Sequence, residues 1–157
     1  MRRSLSSGIL RGALAGAAGT TALNAATYLD MVIRGRPASD TAQQTVRVLS
    51  AKSGVGVPGD HDTRENRVSG LGPLLGILTG VSVGAAYGAA LSRLVGRPPV
   101  VVGTVLVGAA AMAGSDAPMT ALGLTDPTSW SATDWASDAV PHLAYGLVTA
   151  LAFRAAA

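Results

Sequence analysis

Five side chains of this chain have the types and positions needed to hold a proton or a cation inside an apolar setting. They are Asn24, Asp30, Asp116, Asp138 and His142. Asp138 and His142 are four residues apart, so on a helix they share a face. A carboxylate beside a histidine changes where the ring titrates, which suits a relay or a binding site. Asn24 stands one helical turn beyond Thr20 and Thr21, in a stretch that is otherwise Ala, Gly and Leu. Each residue also has a plain structural reading. Asn24 can make an interhelical hydrogen bond, Asp30 can pair with Arg34, Asp138 can cap a helix, Asp116 can cap the end of a loop, and His142 can donate to a loop carbonyl.

The elements that position these groups are legible in the spacing of charge. Of 157 residues, 13% are charged, against about 25% in a soluble domain. Gly12 to Leu29, Val68 to Ser92, Pro98 to Ser115 and Ala139 to Phe153 are uncharged for 18, 25, 18 and 15 residues. A bilayer-crossing helix needs about 20 mostly apolar residues. The fourth run reaches about 19 if the terminal alanines join it and Arg154 snorkels to the interface. The expected fold is therefore an all-α integral membrane protein, one membrane domain over 1–157 with four transmembrane helices. The predicted spans are 9–33, 68–92, 98–115 and 138–156. An outer loop at 34–67 carries a short interfacial helix over 41–51, and an outer loop at 116–137 carries another over 127–136. The second of these holds both tryptophans, Trp130 and Trp135, as interface anchors. Pro141 is expected in the first turn of the last helix, where a missing N–H is tolerated.

Glycine supplies the packing code. Gly72, Gly76, Gly80, Gly84 and Gly88 recur every four residues. In water each would weaken a helix by about 1 kcal/mol relative to alanine. In lipid, small residues let backbones approach and van der Waals contact then drives association. Gly8, Gly12, Gly16, Thr20 and Asn24 form a second stripe of the same period. Such glycine-zipper faces predict either that the first two helices pack on each other or that the ladder packs on its own copy.

Depth places the acidic groups together. At 1.5 Å per residue, Asp30 lies about 27 Å along the first span and Asp116 about 26 Å along the third. Asp138 and His142 open the fourth on that same side, with Tyr28 and Tyr145 at similar depth. The expectation is an outward-facing polar vestibule of Asp30, Asp116, Asp138 and His142.

Orientation follows from arginine. Arg2, Arg3, Arg11, Arg93, Arg97 and Arg154 fall on one side with no acid. Asp116, Asp126, Asp134 and Asp138 fall on the other with no base, while the first loop is mixed. Positive charge collects on the cytoplasmic side, so both termini are expected in the cytoplasm and the protein in the plasma (inner) membrane. A cleaved signal peptide is disfavoured because Arg11 interrupts the apolar region.

Several chemistries are excluded by what is missing. There is no cysteine, hence no disulfide or thiolate site. A net charge of +3 and a pI near 10.0 come without the basic patch that nucleic-acid binding requires. Asp60-His61-Asp62 with Glu65 fits no zinc or calcium spacing. No phosphate loop, dinucleotide fingerprint or hydrolase elbow occurs. No cofactor, no metal and no catalytic residue is expected.

The stretch Gly12 to Asn24 (GALAGAAGTTALN) and the late Pro141 to Gly146 (PHLAYG) resemble the small bacterial inner-membrane proteins grouped around YagU. The resemblance covers about a third of the chain. It implies an integral inner-membrane protein without a defined biochemical activity, linked to envelope or acid stress, and it carries over His142. The expected function is a structural or interaction subunit of a membrane assembly. Its partners are lipid and either itself, as a homo-oligomer, or another membrane protein. The alternative is an oligomeric channel or transporter subunit for a small solute, cation or proton.

Overall fold

A computed structural model describes residues 4–94 and 97–156. Arg2, Arg3 and Ala157, which entered the orientation and last-span arguments, lie outside the described residues. The described chain is helical: α1 Leu5–Arg34, α2 Thr41–Ser53, α3 His61–Arg93, α4 Val100–Ala121, a 3-10 turn Pro127–Ser129, and α5 Ala132–Ala155. The all-α expectation holds.

The expectation of four transmembrane helices does not. Among the described residues two helices, α3 and α4, are long and apolar enough to cross a membrane. α1 has the length, but its uncharged stretch is diluted by glycine, Thr20, Thr21 and Asn24. α5 begins earlier than expected and carries Asp134, Asp138 and His142, which leaves Leu143 to Phe153 as its apolar part. Lack of charge is a weaker property than apolarity, and counting charge alone merged the two.

Local signals move several boundaries. α3 starts at His61, inside the predicted outer loop 34–67, because the Asp60 carboxylate accepts from the Thr63 backbone N–H at 2.8 Å. Such a cap satisfies one of the unpaired donors of a first turn. Ser131 and Asp134 form a reciprocal capping box that starts α5 at Ala132, so the expected short helix 127–136 is instead a 3-10 turn followed by the first turn of α5. Pro141 consequently sits well inside α5, and so do Asp138 and His142. α4 continues through Pro118 to Ala121, which puts Asp116 within the helix. Gly35 and Gly54, both left-handed (φ 62° and 71°), end α1 and α2 in the way glycine does at many helix ends.

α1 packs on both α3 and α5, α5 packs on α4, and α2 lies against the start of α3. The α1–α3 crossing is made by backbone. A methyl group at Gly84 would sit 2.5 Å from Gly16 Cα, and one at Gly88 would sit 2.8 Å from Gly12 Cα. Gly8 is equally close to Gly88 and Ser92. Gly80 meets Thr20 and the Tyr145 ring, Gly72 meets the α2 backbone at Ala42 and Gln43, and Gly76 faces open space. α4 and α5 cross in the same manner, Gly108 against the His142 carbonyl and Gly146 against Gly108. The core between them is small: Val107, Ala111 and Tyr145, with Leu23, Val83 and Tyr87 packed around.

Candidate functional site

The polar residues that converge lie between α4 and α5. His142 is 9% exposed. Its Nδ1 is 2.8 Å from the Asp138 backbone oxygen and 3.4 Å from Asp138 Oδ1. On the other side of the ring, Nε2 is 3.4 Å from Ser115 Oγ. Ser115 Oγ also donates to the carbonyls of Ala111 and Met112 and lies 3.2 Å from Asp116 Oδ1. Asp138 Oδ2 is buried and accepts no hydrogen bond from the described residues. Asp138 and His142 share a face because they are one helical turn apart, and the glycine crossing at Gly108 and Gly146 brings that face onto α4.

Asp30 is elsewhere. Arg34 binds its carboxylate at 2.8 Å and Arg36 at 2.5 Å. The hydrogen bond from Arg36, reinforced by the charge of Arg34, holds the Asp30 carboxyl below the usual carboxylate range. Arg34 also donates to Ser137 Oγ at 2.7 Å, tying the end of α1 to α5. The expected vestibule of four groups is thus a cluster of Asp116, Asp138 and His142, with Asp30 in a separate ion-pair knot. Pairing with Arg34 required only the i, i+4 spacing. Arg36, which follows the helix, gave no such signal.

Tyr28 is 61% exposed and Tyr145 is fully buried, so equal depth along two helices did not mean a shared face. Tyr145 donates its hydroxyl to the Gly80 carbonyl at 2.6 Å, and it ties α5 to the glycine face of α3. Asn24 is half-buried on α1, next to Leu23, which packs on the core. Trp130 and Trp135 stack edge to face with ring centroids 5.0 Å apart, and the Trp130 indole donates to Thr125 Oγ1. Among the described residues no group of three or more His, Asp or Glu is placed to hold a metal ion. Asp60 serves as a helix cap. Ser115 is the cluster member that sequence reading overlooked. Its signal was its place: a hydroxyl directly before Asp116, at the end of an apolar run.

No protein-family model matches this chain, and no curated protein or solved structure matches it either.

Proposed function

We propose that the chain is a small integral protein of the plasma (inner) membrane, held by an α3–α4 hairpin, that serves as a structural or interaction subunit of a membrane assembly. The observation that carries this reading is where the apolar side chains are. Only 17% of the apolar stretch of α3 and 22% of that of α4 is buried within the chain, whereas the core helix of a soluble protein is mostly covered. Leu74, Leu78, Val101, Val105 and Leu106 are all more than half exposed. In water a continuous apolar face of this kind marks an association site. Against lipid tails it needs no cover, and helices there associate through small residues. The α1–α3 glycine contacts support such a glycine-zipper role, and the likeness to YagU-like proteins supports the same location. Arg93 and Arg97, between the two spans, favour the cytoplasmic side for that turn.

A lysate fractionation followed by native mass spectrometry in nanodiscs tests the reading. The expected result is a carbonate-resistant membrane fraction and a complex of defined stoichiometry with itself or with a second membrane protein. Recovery in the soluble fraction would overturn the membrane reading, and a bare monomer would overturn the subunit role.

The Asp116–Asp138–His142 cluster favours a second reading, a channel or transporter subunit for protons or a small cation. A proton or cation between the two carboxyls would relieve their repulsion. That reading expects pH-driven flux in liposomes that is lost in Asp138→Asn.

A further inference from the structure

We infer that His142 carries a proton on each ring nitrogen, so that the cluster between α4 and α5 is a site for a proton and not for a metal cation. The inference rests on the second reading above, in which this cluster takes a proton or a small cation, and deepens it by naming the ion.

Hydrogen-bond roles decide the state of the ring. Nδ1 lies 2.8 Å from the Asp138 backbone oxygen and 3.4 Å from Asp138 Oδ1. A carbonyl oxygen only accepts, so Nδ1 must carry a hydrogen. Nε2 lies 3.4 Å from Ser115 Oγ. A serine hydroxyl has one hydrogen to give. That hydrogen has a nearer acceptor in the Met112 carbonyl, at 2.9 Å, and another in the Ala111 carbonyl, at 3.3 Å. Ser115 therefore faces the ring with a lone pair, and Nε2 must donate as well.

Each neutral form leaves a fault. With hydrogen on Nδ1 alone, the Nε2 lone pair meets the Ser115 lone pair. With hydrogen on Nε2 alone, the Nδ1 lone pair meets the Asp138 carbonyl. The imidazolium donates at both ends. His142 is 9% exposed, so little water reaches the ring to repair a mismatch, and an unmet polar atom there is costly.

The charges around the ring agree. Burial pushes it toward the neutral form. The hydrogen bond and charge of Asp138, on the same helix, and the charge of Asp116, on α4, outweigh burial and raise the ring above the ordinary histidine value. α1 also packs on α5. Its charged groups at this end, Asp30 and Arg34, pair with each other and reach α5 at Ser137. An imidazolium has no ring lone pair to offer a metal ion, and its charge opposes a second cation. It also sets a positive charge beside Asp138, whose buried Oδ2 accepts no hydrogen bond from the described residues.

The test is ring-nitrogen NMR of the full chain in lipid nanodiscs, with isotope-labelled histidine. The chain has two histidines, and His61→Gln leaves His142 as the one observed. The expected spectrum is that of an imidazolium at about pH 7, with a titration midpoint above the ordinary value of about 6.5. Asp138→Asn should lower that midpoint by roughly one unit. Ser115→Ala removes the acceptor for Nε2 and should lower it too, which serves should Asp138→Asn not fold. Exchanging choline chloride for sodium or potassium chloride at equal concentration should leave the midpoint in place. A ring with a single proton at neutral pH would overturn the inference, as would a midpoint that neither variant moves. A midpoint that falls when sodium or potassium is added would also overturn it, because the cluster would then take the metal cation in the proton's place. An imidazolium in a chain that shows no pH-driven flux in liposomes would support the proton site and sink the transport reading.

Discussion

At the scale of single residues, one ladder contains three different environments. The sequence repeats glycine at Gly72, Gly76, Gly80, Gly84 and Gly88, yet Gly84 touches the α1 backbone, Gly72 touches α2 and Gly76 touches nothing. Gly84→Ala should therefore force α1 and α3 apart. The expected loss is about 1–3 kcal/mol, the usual cost of overpacking a tight contact. Gly76→Ala should be neutral or mildly stabilising, because it adds helix propensity without a clash. Reversible unfolding in mixed micelles checks the pair, and equal losses would show that the close α1–α3 approach is not what the glycines serve. The same limit applies at the polar cluster. Spacing put Asp138 and His142 on one face, while Ser115 and the separation from Asp30 depended on how α4 and α5 cross.

At the scale of elements, capping carboxylates decide where helices begin. Asp60 and Asp134 are both held below the ordinary carboxylate value, chiefly by side-chain hydrogen bonds with Thr63 and Ser131 respectively, then by backbone N–H groups. A carboxyl whose folded pKa is depressed stabilises the fold above its unfolded pKa and stops doing so as pH falls through the folded one. The two caps should persist down to about pH 4 and release below it. The backbone amide shifts of Thr63 and Ser131, which donate to the Asp60 and Asp134 carboxylates, followed by NMR in detergent, report this directly. Release already near pH 5, about one unit above the ordinary aspartate value, would mean that the caps do not form. Both caps were readable in principle from an acid or serine three residues before its partner. Boundaries drawn from the uncharged runs alone leave both caps outside the helices they start.

At the scale of the whole molecule, the charge division is the dominant feature. Every acid lies at one end and four described arginines at the other. With α3 and α4 as the crossing hairpin, the proposed orientation places the arginine end in the cytoplasm. The chain has no cysteine, so single substitutions report sidedness cleanly. Ser129→Cys should react with a membrane-impermeant maleimide in intact cells, and Pro99→Cys only after permeabilisation. The reverse pattern would invert the topology.

The helical class and the apolar character of 68–92 and 98–115 are legible in the residues alone, because both follow from local composition and need no neighbour. So are the four-residue glycine period and the segregation of charge along the chain. Charge spacing overstates the number of crossing helices, since freedom from charge says little about how much glycine, threonine and asparagine dilutes a segment. Which glycines touch, the reach of Tyr145 to Gly80, and the joining of Asp116 with Asp138 and His142 while Asp30 stays apart come from helix packing. Those contacts depend on the rotation and crossing of whole helices. A period of 3.6 residues defines a face, but it does not say which neighbour that face will meet.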